Sequence, residues 1–255
     1  MSRDGRMAES GLALGDRAEK VAERVARALI QYIVDRGLQA GDSLPNEKEM
    51  SETFRVARGS LREALRLLET QGVIVIRPGP GGGPVVRELQ PGDLVNSTSL
   101  ILQVMRVHFG RVIDARRTLV PEITRAAARR RTVEQLGELR GYVDELEAAV
   151  GTSPDFWTAY RRTHETIAAM TGNEILEVIQ ATLLEISGPF EAHASPPART
   201  ARTLVRQHRG VLEAIELRDG EAAAELVAAH LDAHERYIAR HRREDLDEPV
   251  RWTRR

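Results

Sequence analysis

Between Asn46 and Val86 the residue pattern admits few folds. A short segment, Asn46 to Thr53, precedes a longer one, Gly59 to Thr70, in which Leu61, Leu65 and Leu68 share one helical face. Gly72 stops that helix. Val73-Ile74-Val75-Ile76 is β-branched throughout and predicts a strand, Pro78 to Pro84 a turn, and Val85-Val86 a short return strand. Asn46 is placed to cap the short helix, with Glu49 three residues on. Upstream, Val21, Val25, Leu29 and Ile33 recur every four residues, which predicts a helix over 18–36 ended by Gly37. Leu38 to Pro45 reads as a loop. Helix, short helix, helix and hairpin is the order of a winged helix-turn-helix. Two short helices with a brief joint cross steeply, so the second can enter a major groove with the hairpin beside it as a wing.

Charge supports that reading locally. Arg55, Arg58, Arg62, Arg66, Arg77 and Arg87 stand against Glu63 and Glu69, a net of +4 in a chain whose formal charge is −1. Such a patch is the electrostatic footprint of a DNA-binding surface, although charge runs are more often solvated faces. Lys20 and Lys48 are the only lysines; arginine's planar fork suits phosphate and guanine.

From Asp93 to Arg242 no strand is predicted. Helical stretches over 93–107, 109–131, 133–150, 154–171, 173–192, 197–218 and 220–242 alternate with breakers, and Asp93, Thr132 with Gln135, Ser153, Ser195 and Asp219 stand as caps. The expected architecture is mainly α: a winged helix-turn-helix over 18–87, a linker at 88–92 and an all-helical bundle over 93–242. Loose tails are expected at 1–17 and 243–255. There is no cysteine, hence no disulfide, thiolate metal site or cysteine nucleophile. No apolar run is long enough to span a bilayer, and the first residues lack a secretory apolar core, so a cytoplasmic protein without membrane partners is expected.

Three stretches in order, Leu44-Pro45-Asn46-Glu47-Lys48-Glu49, Arg58-Gly59-Ser60-Leu61-Arg62-Glu63-Ala64-Leu65 and Leu68-Glu69-Thr70-Gln71-Gly72, followed by a Gly-rich wing, resemble the GntR family of bacterial regulators. The C-terminal part resembles the FadR-type ligand domain (the FCD domain) of one branch of that family. The fragments Asp114 to Leu119, His164-Glu165-Thr166-Ile167 with Gly172-Asn173, and Gln207 to Ile215 running into Asp219 and His230 carry that likeness. The resemblance implies a homodimeric transcriptional regulator, more often a repressor. It would bind a pseudo-palindromic duplex operator and be controlled by a small effector, a carboxylate or an acyl-CoA, that changes the spacing of the two reading heads.

On the DNA side, Arg58, Ser60 and Arg62 fall in the first turn of the third helix, where an arginine fork can meet guanine O6 and N7 together. The resemblance matches Arg58 and Arg62 to operator-touching positions and Lys48 to a basic contact of the second helix. The run around Gly79 is not a phosphate-cradling loop, because Pro78, Pro80 and Pro84 lack the N–H groups such a loop offers and a strand follows. Gly79 is expected nearest DNA, the alternative being a tight turn with no contact.

On the ligand side, the resemblance implies a divalent metal (zinc, nickel, iron or manganese) held by one Asp and three His, here His164, His208 and His230. The family's Asp position holds Tyr160 instead, a poor neutral ligand with a pKa near 10. Three readings stay open: a metal on three protein ligands, a weakly held metal, or a metal-free pocket of hydrogen-bonded histidines. Arg116 aligns with a pocket-facing arginine, and Val120 follows where an acid is usual, which favours an external anion. Asn173 matches a frequent family Asn, a helix cap or a ligand contact. His234 lies one turn after His230, and His108, His193 and His241 read as peripheral. A metal-dependent hydrolase or isomerase fused to a DNA-binding head is the rival reading, but no HExxH, P-loop or dinucleotide motif is present, and Glu165 should point away from the face of His164. A DNA binder with no effector is the third.

Overall fold

The computed structural model describes residues 20–79, 82–88, 91–152, 154–192 and 197–251. They form two compact units, one ending at 88 and one beginning at 91. The expected N-terminal tail, the caps Ser153 and Ser195, and His193 lie outside the described residues.

The first unit contains α1 (Val21–Asp35), α2 (Glu47–Phe54), α3 (Arg58–Thr70), β1 (Ile74–Arg77) and β2 (Gly83–Val86). Helix α2 starts where Asn46 Oδ1 accepts the N–H of Glu49 at 3.0 Å. It ends at Arg55, whose φ of 52° turns the chain left-handed, and only Val56 and Ala57 separate this residue from α3. Leu29, Met50, Leu61, Leu65, Leu68 and Ile74 meet in one buried core, which fixes the angle at which α2 and α3 cross. The strands pair antiparallel in the register Ile74↔Val86 to Arg77↔Gly83. The stretch expected to be plain loop does more than connect. Gly41 N–H donates to Val86 O at 2.9 Å and Val86 N–H to Asp42 O at 2.8 Å, with a bridge between Ser43 and Val85, so this segment covers the otherwise unpaired edge of β2. In the wing, a Cβ on Gly82 would lie 2.2 Å from the Arg77 carbonyl oxygen. Only glycine closes that turn.

The second unit is helical: α4 (Pro91–Val104), α5 (Phe109–Arg130), α6 (Val133–Ala148), α7 (Asp155–Ala169), α8 (Glu174–Ala192), α9 (Ala198–Glu216), α10 (Gly220–His241) and α11 (Arg243–Asp247). Helix α4 begins two residues before the expected Asp93 cap and already occupies the end of the expected linker. Thr132 and Gln135 form the reciprocal capping box of α6, and Asp219 Oδ1 accepts from the Ala222 N–H at 3.0 Å to start α10. Helix α10 packs along α5 and α9, and α7 lies against α6 and α8.

Over residues 243–251 the expected loose C-terminal tail is corrected. After α11 the chain returns to the start of α5, with Phe109 N–H donating to Glu248 O and Val250 N–H to Val107 O, each at 2.9 Å. Val250 is 1% exposed in a cluster with Phe109, Ile113, Ile186 and Ile238. One valine at the right offset is a weak sequence signal beside the charges around it, but its burial fixes the segment. No helix among the described residues is long and apolar enough to cross a membrane.

Candidate functional site

Each unit carries a distinct arrangement. In the first, Leu61, Ala64, Leu65 and Leu68 point α3 into the core, which leaves Arg58, Arg62 and Arg66, at four-residue spacing, exposed on the other side. Lys48 is exposed on α2, Ser60 is half-buried, and Gly79 is exposed with a φ of 100°. Arg62 Nε lies 2.8 Å from Glu47 Oε2, with Arg62 still 63% exposed. That pairing is weak enough in water to be exchanged for a phosphate or a base edge. Arg55 joins this basic surface at the left-handed joint. Its charge was visible in the sequence, but the turn that presents it was not. Pro80 and Gly81, at the wing tip, lie outside the described residues.

In the second unit, Arg116 of α5, Tyr160 and His164 of α7, His208 of α9 and His230 of α10 are buried together, none more than 5% exposed. The ligating atoms of the three histidines lie within 4.8 Å of one another. Gly172 and Asn173 are placed elsewhere in role: Asn173 Oδ1 accepts from the Ile175 and Leu176 N–H groups at 3.1 and 3.4 Å and so caps α8. Of its two sequence readings, the cap is the one its bonds describe.

Hydrogen-bond partners decide how each imidazole faces the cluster. His208 Nδ1 is 2.8 Å from Leu204 O. A carbonyl only accepts, so Nδ1 carries the proton and Nε2 presents its lone pair. His230 Nδ1 likewise donates to Gln207 Oε1 at 3.0 Å, leaving its Nε2 to accept the Tyr160 hydroxyl at 3.1 Å. An Arg116 N–H reaches the same hydroxyl oxygen at 3.5 Å. His164 Nε2 is 3.4 Å from His208 Nε2 and donates into that lone pair, which leaves His164 Nδ1 buried without a described partner. The supports Leu204 and Gln207 were not foreseen. They come from the turn before each histidine or from a neighbouring helix, and no residue-type motif marks them.

Burial drives all three histidines toward the neutral form: His208 to about 4, and His164 and His230 well below the usual value. For the last two the neighbouring histidines and the Arg116 charge add to the effect. His208 and His230, with Nδ1 tied to an acceptor, are in the state in which histidine ligates through Nε2, whereas His164 reaches it only by moving its proton from Nε2 to Nδ1. Tetrahedral zinc with Zn–N near 2.0–2.1 Å needs nitrogens about 3.3 Å apart, which the His164–His208 separation of 3.4 Å meets. The donor set therefore fits a divalent metal. His164, His208 and His230 would hold it, and a bound ion would supply a fixed positive charge against which an acid group can be oriented.

Beside the cluster lies a cavity of about 240 Å³. Trp157, Tyr237 and Phe190 give it aromatic walls, Gln207 and His234 polar ones, and Arg199 and Arg242 contribute cationic groups. Gln207 is thus both the support of His230 and part of the cavity wall. Glu165, the acid a hydrolytic reading would need, is half-buried. Its carboxyl is pushed up by burial and it pairs with Arg161 at 3.8 Å.

Comparison with known proteins follows the same division. Residues 21–82 match the bacterial regulatory proteins of the gntR family, and residues 111–233 match the FCD domain. The HTH-type transcriptional regulator YcbG of Bacillus subtilis is 28% identical over 83% of this chain and 87% of its own length. The HTH-type transcriptional repressor NanR of Cronobacter sakazakii is 27% identical over 88% of each. RspR of Escherichia coli, also named a transcriptional repressor, is 27% identical over 90% of this chain and 93% of its own. A solved GntR structure from Streptococcus agalactiae superposes with a TM-score of 0.66 at 24% identity, covering 84% of this chain and 99% of that one. The chain is a DNA-binding transcriptional regulator that joins a GntR-type winged helix-turn-helix to an FCD domain.

Proposed function

We propose that this chain is a cytoplasmic repressor of the FadR branch that binds a pseudo-palindromic operator as a homodimer and releases it when a small carboxylate enters the FCD domain. The observation that carries the DNA half is the exposed basic row Arg58, Arg62 and Arg66 on α3, flanked by Lys48 and Gly79. Phosphate contacts from such a row supply affinity, and the arginines of the first turn supply sequence. Repression is supported by the names of the relatives NanR and RspR. The effector half is supported by the cavity beside the histidine cluster, where Arg199 and Arg242 contribute cationic groups and Gln207 and His234 polar ones, since a guanidinium pairs well with a carboxylate. Nothing in the cavity favours an acyl-CoA over a smaller acid. Release requires an effector that binds the operator-free arrangement more tightly than the operator-bound one.

The test begins with an operator selected from random duplex DNA by the full chain. Binding is then followed by fluorescence anisotropy, with and without each member of a panel of organic acids. The proposal expects a two-fold symmetric sequence and at least one acid that weakens binding. An operator that no acid affects, together with no acid that raises the melting temperature, would leave a DNA binder without an effector.

A further inference from the structure

Two cavities of the helical unit share a wall. The first takes Tyr237, Ile238 and Arg242 from the end of α10, beyond residue 233 where the FCD match stops. The second, of about 340 Å³, lies between α4, α8 and the C-terminal segment, and Glu185, Asp245 and Glu248 bring carboxylates to it. Phe190 and Arg242 line both. Arg242 stands at the joint between α10 and α11. Its guanidinium donates to the Phe190 carbonyl oxygen at 2.8 Å and pairs with Asp245 at 2.5 Å. Glu185 pairs with Arg161, and Glu248 with Arg251.

The first cavity suits an anion with a flat apolar body. Its described wall holds two guanidinium groups, Arg199 and Arg242, and no acid, while Trp157, Phe190 and Tyr237 supply aromatic faces. The Trp157 indole N–H is buried with no acceptor among the described residues, and an oxygen on a ligand would satisfy it. At about 240 Å³ the space falls below the roughly 300–1,000 Å³ of pockets for drug-sized ligands, which fits a single ring.

We propose that the first cavity binds a single-ring aromatic carboxylate and that Arg242 is shared between this acid and the C-terminal segment: the acid takes the guanidinium from Asp245, and residues 243–251 loosen from α4 and the start of α5. The proposal rests on the effector reading above and names both the acid and the route by which its arrival reaches α4, the first helix after the linker. One guanidinium between two carboxylates leaves a net negative charge in a partly buried place, where water screens repulsion poorly; the side chains of Arg242 and Asp245 are only 24% and 17% exposed. Asp245, once released, shares the second cavity with Glu185 and Glu248. The repulsion falls on the segment that carries Asp245. That segment is held to α5 by the bonds from Phe109 N–H to Glu248 O and from Val250 N–H to Val107 O. Coupling is reciprocal, so the Asp245 pairing weakens the acid by the factor with which the acid weakens the pairing.

The test uses the full chain and two probes, benzoate and its uncharged analogue benzamide, titrated calorimetrically. Benzoate is expected to bind on the order of tenfold or more tightly than benzamide, the scale of a hydrogen bond to a charged group. Saturating benzoate should also quicken hydrogen exchange at the Phe109 and Val250 amides, and benzamide should not. In Asp245→Asn, which removes the competing carboxylate, benzoate should bind on the order of tenfold more tightly, within the usual range of coupling between sites, and both amides should exchange fast before any benzoate is added. Arg242→Gln should lose most of the preference for benzoate over benzamide, and circular dichroism confirms that both variants are folded. Equal binding of benzoate and benzamide by the native chain overturns the proposal. So does benzoate binding that leaves both amides unchanged, or an Asp245→Asn affinity equal to the native one. If benzoate does not bind but another acid of the panel weakens operator binding, the effector reading stands and this inference fails. If no acid binds at all, both fail.

Discussion

The Tyr160 hydroxyl donates to Nε2 of His230 across 3.1 Å, tying α7 to α10 inside the bundle. With His230 Nδ1 held by Gln207, the imidazole has both nitrogens satisfied in the absence of any metal. Tyr160→Phe leaves a buried lone pair unsatisfied, which typically costs about 1–3 kcal/mol. Urea unfolding of the chelator-treated variant should show that loss. An unchanged midpoint would mean that the hydroxyl contributes nothing to the metal-free fold.

Arg58→Ala and Arg62→Ala should weaken operator binding by about 1–3 kcal/mol each where the side chain reads a base, and less, with a shallower salt dependence, where it meets phosphate. Thermal stability should barely change, because Arg58 is exposed and the Arg62–Glu47 pair is largely solvated. Anisotropy at several salt concentrations beside a melting curve separates the two effects. Unaltered affinity in the double variant would remove α3 from the interface.

The histidines also set a pH dependence for the metal-free protein. Burial holds His208 to about 4, whereas in the unfolded chain it protonates near 6.5. Below 6.5 the unfolded state binds a proton that the folded state refuses, so stability falls as pH falls. No such dependence arises above pH 7. At pH 5 His208 alone should cost about 2 kcal/mol, and His164 and His230, lowered chiefly by burial as well, act in the same direction. Urea unfolding between pH 7.5 and 5 measures this, and His208→Gln should flatten part of the slope.

Val250 anchors the C-terminal segment against Phe109 and Ile238. Val250→Ala should destabilise the helical unit by about 1–3 kcal/mol, the scale for removing buried methyl groups. Hydrogen exchange should then show the Val250 and Phe109 amides opening sooner. Exchange as slow as in the native chain would place the anchor elsewhere, for example in Leu246.

The sequence by itself determined the elements and most of their ends. Four-residue apolar spacing, β-branched runs and caps such as Asn46, Thr132 and Asp219 act over distances of a turn or less, so they can be read without a fold. The resemblance to the GntR and FCD patterns also marked Arg58, Arg62 and, among seven histidines, His164, His208 and His230. Tertiary structure decided what depends on contacts between distant segments. These are the edge of β2 covered by residues 41–44, the burial of Val250, the support of His230 by Gln207, and the hydroxyl of Tyr160 on the lone pair a metal would need. Such contacts join residues tens of positions apart, and their energy comes from removing both partners from water, which local pattern does not record.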